Sequence, residues 1–291
     1  LVLSSFVWDP DRVFMTLPYL RYPIYWYGVL FATGFGISYF FLKKVMASFF
    51  KKNYENPHDV KQQLDLFMTR SVTWLTLASV LGGRLGYIVF YGWPHYSQHP
   101  LDMIKIWEGG LASHGAVIGL LIGMLCLVWS YRHHVPKMTF LFLVDILAIP
   151  VGWTGGLIRV GNFFNQEITG IPTSLPWGVE FLHPLDGVGG VVHPVQLYEA
   201  LFYIALAFCM FGVFRRYRAY LGSGLFTGIL LISLFSFRFF IEFLKVPQGE
   251  VLSATSFLKM GQLLSLPFIC LGCVLLLRSL KRIYRDLRSS S

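Results

Sequence analysis

Long apolar runs, broken by short polar intervals, dominate this chain. A bilayer core is crossed by about 20 mostly apolar residues in a helix. Seven stretches meet that length, near Ile24–Leu42, Leu66–Phe90, Ser113–Tyr131, Phe140–Ile158, Pro194–Phe214, Gly224–Leu244 and Met260–Leu280. The pattern therefore predicts an all-α polytopic membrane protein with seven transmembrane helices. The first 23 residues lack an apolar core of signal-peptide length and read as an interfacial approach to the first span. Residues 162–193, with Pro172, Pro176, Pro184 and the short apolar stretch Trp177–Leu182, are too long for a tight connection and too short for a separate domain. They read as a small exoplasmic head capping one integral-membrane domain, residues 1–291.

Composition agrees with that architecture. Of the 291 residues, 55% are hydrophobic and only 13% charged, about half the share usual in a soluble chain. Mean hydropathy is +0.59. The net charge of +9 would admit a nucleic-acid partner in a soluble protein. Here its distribution gives another account. Fifteen of the 24 Lys and Arg fall in the loops after spans one, three and five and in the C-terminal tail, against five on the other face. By the positive-inside rule the N-terminus lies outside and the C-terminus in the cytoplasm. Anionic membrane lipid then accounts for the charge, with no nucleic-acid role. The cysteines, Cys126, Cys209, Cys270 and Cys273, sit inside apolar runs and read as buried, inert thiols. No metal-ligand pattern and no cofactor motif is present.

Ionisable residues inside spans are costly and usually have a partner or a task. On the predicted topology Tyr27, Arg84, His114, Arg159, Arg238 and Glu242 all fall towards the outer leaflet. Asp145, about 21 Å along an ideal helix from Arg159, belongs near the inner face. Three Arg, one His and one Glu at one depth would make a cationic cavity suited to a phosphate, which guanidinium matches bidentately. Arg238 and Glu242, four apart, could equally form a plain salt bridge. The glycines of Gly82-Gly83-Arg84-Leu85-Gly86 lack the strand and the Lys-Ser/Thr of a phosphate loop, and most simply permit close helix packing.

Several motifs carry a resemblance. Gly109-Gly110 with Ser113-His114-Gly115 is similar to the histidine motif of the bacterial prolipoprotein diacylglyceryl transferase family. Arg159-Val160-Gly161-Asn162-Phe163-Phe164-Asn165-Gln166-Glu167, followed by Gly170, resembles its R-x-G-N-F-x-N-x-E-x-x-G signature. His193-Pro194-Val195-Gln196-Leu197-Tyr198-Glu199 resembles its H-P-x-Q-L-Y-E. Trp26-Tyr27-Gly28, Gly82–Tyr87, Arg238-x-x-x-Glu242-Phe243 and Met260-Gly261-Gln262 also match, in order, from about Tyr25 to Pro267. Three positions depart from it: Leu234 stands where a tyrosine is expected, Lys245 where an arginine is, and Tyr25 where a basic residue is common.

The resemblance implies an enzyme of the bacterial cytoplasmic (inner) membrane, without cofactor. It would transfer the diacylglyceryl group of phosphatidylglycerol to the lipobox cysteine of a preprolipoprotein and release glycerol 1-phosphate. His114, Arg159 and Arg238 are then the catalytic candidates: two cations for the leaving phosphate and an imidazole for the thiol proton. Tyr27, Arg84, Asn162, Asn165, Glu167, Gly170 and Glu242 would line the substrate site. His193, Gln196, Tyr198 and Glu199 are expected to anchor the cap. The alternative is a transporter or channel for an anionic solute, which would leave no product.

Overall fold

A computed structural model describes residues 6–19, 21–106, 109–131, 135, 138–187, 189–246 and 258–289. Arg132 and Lys137, two of the fifteen loop cations, lie outside the described residues. The long helices are α1 Trp26–Lys51, α2 Pro57–Tyr87, α4 Ser113–Tyr131, α7 Val195–Tyr217, α8 Leu225–Ile241 and α9 Met260–Ser289. A short α3, Trp93–Tyr96, follows a π turn after α2. Among the described residues, six helical segments are long and apolar enough to cross a membrane. The seventh expected span is a bent pair, α5 Phe140–Ala148 and α6 Val151–Asn165, with 49° between its halves. Pro150 explains the break, because a proline cannot donate the helical hydrogen bond and clashes with the preceding turn. Only 17–33% of each apolar window is buried within the protein, so most of each apolar surface is left for lipid.

The cysteines correct one expectation. All four are exposed on the outer faces of α4, α7 and α9. An apolar run in a bilayer protein points outward as readily as inward, so sequence hydrophobicity does not report burial here.

The chain divides into two compact units. The first, Lys43–Leu143, is built on α2 against α4. Glycines make that pairing possible. A Cβ on Gly86 would stand 2.8 Å from Gly115 Cα, and one on Gly123 2.8 Å from Ala78 Cβ. The Gly82 motif is thus a packing seam of small residues, as its sequence suggested.

The second unit, residues 1–42 and 144–291, holds α6 to α9 and the cap. α6 packs on α7 through Gly152 and Gly156, where added side chains would collide with Tyr203, Ala207 and Ile204. Asp145, fully buried, organises the other end of this unit. Its carboxylate accepts from the backbone N–H of Gly222, Gly224 and Thr227, each at 2.9 Å, and from the Thr227 hydroxyl at 2.6 Å. The Gly224 and Thr227 N–H groups are among the orphan donors at the start of α8, and an anion is favoured there.

The cap is more ordered than a proline-rich loop suggests. β4 Val179–Phe181 pairs with β5 Val191–Val192, and β1 Phe6–Trp8 adds on the far side of β4 in parallel. The N-terminal segment is therefore a strand of the cap as well as an approach to the first span. A hairpin of β2 Val13–Thr16 and β3 Pro23–Tyr25 leads into α1. Trp8 anchors the sheet: its indole donates to Phe163 O at 3.1 Å and its ring packs on Phe163 and Phe164. Three-residue strands carry too little alternation to be read from sequence.

Candidate active site

In the second unit the site is built where α6 ends. Gln166 (φ 55°) terminates the helix in the left-handed region. The signature residues therefore stand on the last turn of α6 and the turn after it. A chain of polar contacts joins them. Arg159 Nη1 donates to Asn162 Oδ1 at 3.2 Å; Asn162 Nδ2 donates to Glu167 Oε1 at 2.7 Å; Asn165 Nδ2 donates to the same oxygen at 3.2 Å. Tyr27, at the start of α1, packs on this face of α6, where a Cβ on Gly161 would stand 2.8 Å from its ring. Its phenol is within electrostatic reach of Glu167 and Arg159.

The partner of Arg159 comes from α7. Glu199 Oε2 lies 3.1 Å from Arg159 Nε, an ion-pair distance without the alignment of a hydrogen bond. Glu199 Oε1 accepts from Lys245 Nζ at 2.8 Å. Glu199 is fully buried, and Lys245 nearly so. Burial pushes the Lys245 ammonium pKa down, Glu199 pulls it back up, and Arg159 lowers it. One carboxylate shared by two cations leaves the group a positive charge. Removing Glu199 would strand two cations, so it stabilises both.

Gly170 sits at a backbone crossing. A Cβ there would stand 2.5 Å from His193 O and 2.9 Å from Leu244 O. Gly170 N–H donates to His193 O, Ile171 N–H to Leu244 O, and Val246 N–H to Thr169 O. This glycine ties the turn after α6 to the end of α8, and no other residue fits without moving backbone.

Arg238, in the last turn of α8, is half-buried. It makes no ion pair or hydrogen bond among the described residues. The salt bridge to Glu242 considered from their spacing is not formed. Glu242 opens a 3₁₀ turn, and its carboxylate instead lies against Gly261 at the start of α9, 2.8 Å from where a Cβ would be. Lys259 Nζ donates to the carbonyls of Glu242 and Lys245 at 2.7 and 2.9 Å.

Arg84 and His114 belong to the first unit. Arg84 is buried, and its guanidinium is directed at backbone. Nε donates to Met103 O at 2.9 Å, Nη1 to Gly109 O at 2.7 Å and Gly110 O at 3.3 Å, and Nη2 to Asp102 O at 2.6 Å. Its planar head also lies 5.0 Å from the Tyr96 ring centroid. Four of its five N–H donors are thereby occupied. These bonds hold the carbonyls of Asp102, Met103, Gly109 and Gly110, and both glycines are left-handed, Gly109 at φ 89° and Gly110 at φ 73°. His114 follows in the first turn of α4, exposed. Asp102 has its own pairs, Lys105 at 2.7 Å and His95 at 3.1 Å. The hydrogen bond from Lys105 is the main cause of its lowered pKa; slight desolvation opposes it, and His95 lowers it further.

Comparison with known proteins decides the family. The family model described as prolipoprotein diacylglyceryl transferase matches residues 13–278. A "Phosphatidylglycerol--prolipoprotein diacylglyceryl transferase" of Chlamydia pneumoniae is 40% identical over 280 residues, covering 94% of this chain and 96% of its own. One from Chlamydia caviae is 39% identical, covering 96% and 93%, and one from Porphyromonas gingivalis is 37% identical, covering 97% of each chain.

The chain belongs to the prolipoprotein diacylglyceryl transferase family. It is a transferase and a multi-pass membrane protein, and the transporter reading is not favoured. For this member of the prolipoprotein diacylglyceryl transferases, sequence reasoning missed Glu199 as the partner of Arg159 and Lys245 as the second cation on the same carboxylate. Glu199 lay within the H-P-x-Q-L-Y-E match but was assigned to the cap. Its helical position gave the only signal: it faces α6 across the glycine seam of α6 and α7.

Proposed function

We propose that this protein transfers the diacylglyceryl group of phosphatidylglycerol to the cysteine thiol of a prolipoprotein lipobox. The sulfur forms a bond to the glycerol carbon, the carbon–oxygen bond to phosphate breaks, and glycerol 1-phosphate leaves. The observation that carries the reading is Arg238, a cation on a membrane-spanning helix that makes no ion pair or hydrogen bond among the described residues. An unsatisfied guanidinium at membrane depth is suited to an anionic lipid.

In this scheme Arg238 and the outer nitrogens of Arg159 receive the phosphate and stabilise its growing charge. Asn162, Asn165, Glu167 and Tyr27 orient the phosphoglycerol portion, and the Glu242 carboxylate sets the Arg238 side of the site. Gly170 keeps the backbone crossing closed. A cysteine thiol has a pKa of about 8.5 and reacts as thiolate. The exposed imidazole of His114 takes its proton. Arg84 acts through the loop it holds rather than by touching lipid. The protein works in the bacterial inner membrane with its cap and N-terminus outside.

Purified protein, phosphatidylglycerol vesicles and a lipobox peptide test this directly. The peptide should gain the diacylglyceryl mass while glycerol phosphate appears in equal amount. Lipid binding without either product would overturn the reading. His114→Gln with an unchanged rate at every pH would remove the proton-acceptor role and leave the transfer intact.

A further inference from the structure

The turn that carries Glu167 is held in an unfavourable shape, and part of the cap remote in sequence does the holding. Ile168 has φ 60° and Gln166 φ 55°. Both residues flanking Glu167 are therefore left-handed, and a β-branched residue in that region is a steric outlier. Such conformations persist only where surrounding contacts over-determine them.

The contacts come from residues 183–186. His183 N–H donates to Gln166 Oε1 at 2.7 Å, and Leu185 N–H donates to Gln166 O at 2.9 Å. Asp186 Oδ2 accepts from both the backbone N–H and the hydroxyl of Thr169, at 2.8 and 2.7 Å. Thr169 is 1% exposed, whereas Asp186 lies at the surface. From the other side, Gln196 Nε2 donates to Glu167 O at 2.8 Å. Gln166, Gln196 and Thr169 are deeply buried, so Asp186 is the part of this clamp that can be changed without opening the interior.

We propose that Asp186 is a positioning residue for the transfer reaction. By fixing Thr169 it keeps Ile168 left-handed. That holds Glu167 against Asn162 and Asn165, and through Asn162 it sets Arg159 Nη1. Without Asp186, Ile168 relaxes towards negative φ. The peptide joining it to Glu167 rotates, and the carboxylate leaves its two amides. The inference rests on the transfer reading above and assigns a part in it to a cap residue that none of the sequence motifs contains.

Four variants test it with phosphatidylglycerol vesicles and a lipobox peptide: Asp186→Ala, Asp186→Asn, Ile168→Gly, and Asp186→Ala combined with Ile168→Gly. Asp186→Ala should lower kcat about tenfold to a hundredfold, the scale of a small misplacement at a reacting centre, with KM for lipid little changed. Asp186→Asn keeps an oxygen that can accept both Thr169 bonds but loses the charge, and should fall between. Glycine adopts the left-handed region at no steric cost. The double variant should therefore recover most of the rate lost by Asp186→Ala and approach that of Ile168→Gly. A residue that only stabilised the cap would give the opposite, since two destabilising changes add. Asp186→Ala with wild-type kcat, or a double variant no faster than Asp186→Ala, overturns the inference while the transfer reading stands. Wild-type protein that releases no glycerol phosphate overturns the transfer reading and this inference with it.

Discussion

Arg84 and Arg238 both stand on helical segments long and apolar enough to span a membrane, yet the protein treats them oppositely. Arg84 is enclosed, with four donors on backbone carbonyls and an aromatic ring beside its face. Arg238 is half-buried and has no ion pair or hydrogen bond among the described residues. Arg159 lies between these extremes, shared with Glu199 and Asn162. A cation whose donors are met by the fold holds structure. One whose donors are left open is available to a ligand. The contrast separates two roles that the sequence reading had pooled into one cationic cavity.

The sharpest way to break the contrast is to remove each arginine and read activity and stability separately. Arg238→Ala should lower turnover about 10²–10³-fold, as expected for loss of a transition-state donor, with little change in thermal unfolding in detergent. A variant retaining full turnover would place Arg238 among the structural arginines. Arg84→Ala should do the reverse. Leaving the carbonyls of Asp102, Met103, Gly109 and Gly110 without their donor should cost about 3–5 kcal/mol in denaturant unfolding. An unchanged midpoint would show that the loop stands without it.

The same logic applies to the buried carboxylates. Asp145 is satisfied by four N–H and O–H donors and no cation, Glu199 by two cations. Asp145→Ala should cost about 2–3 kcal/mol by exposing the start of α8, while transfer per folded molecule stays at the wild-type level. A loss of specific activity at unchanged stability would contradict the purely structural role. The smallest effect is expected at Asp102, whose pKa is lowered by Lys105 first and by His95 as well. A depressed carboxylate contributes stability above its unfolded pKa and loses it as pH falls through the folded one. Wild-type protein should therefore lose melting temperature across the acidic end of the carboxylate range more steeply than Asp102→Asn. Parallel curves would show that this pair is screened.

The spans and the family were legible because both depend on local signals: long apolar runs and residues spaced within a turn or two. Gly82 and Gly86 could be read as packing sites for the same reason. Glu199 as the counter-ion of Arg159 was not legible, because it depends on the rotation of α7 against α6. The strands of the cap were missed because three residues show no periodicity, and because β1 and β4 lie far apart in sequence. Arg84 was read as a ligand residue since its partners are main-chain carbonyls, which no sequence pattern advertises. The left-handed Ile168 gave no sign either, because β-branched residues are the last expected there.

The parallel pairing of Phe6 with Val179 sets an order of events during synthesis. Strand β1 leaves the ribosome before β4, its partner following 173 positions later. At roughly 5–20 residues per second the delay is about 10–35 s. Through that interval several apolar helices are made while an apolar tripeptide waits without a neighbouring strand, so the headpiece closes late.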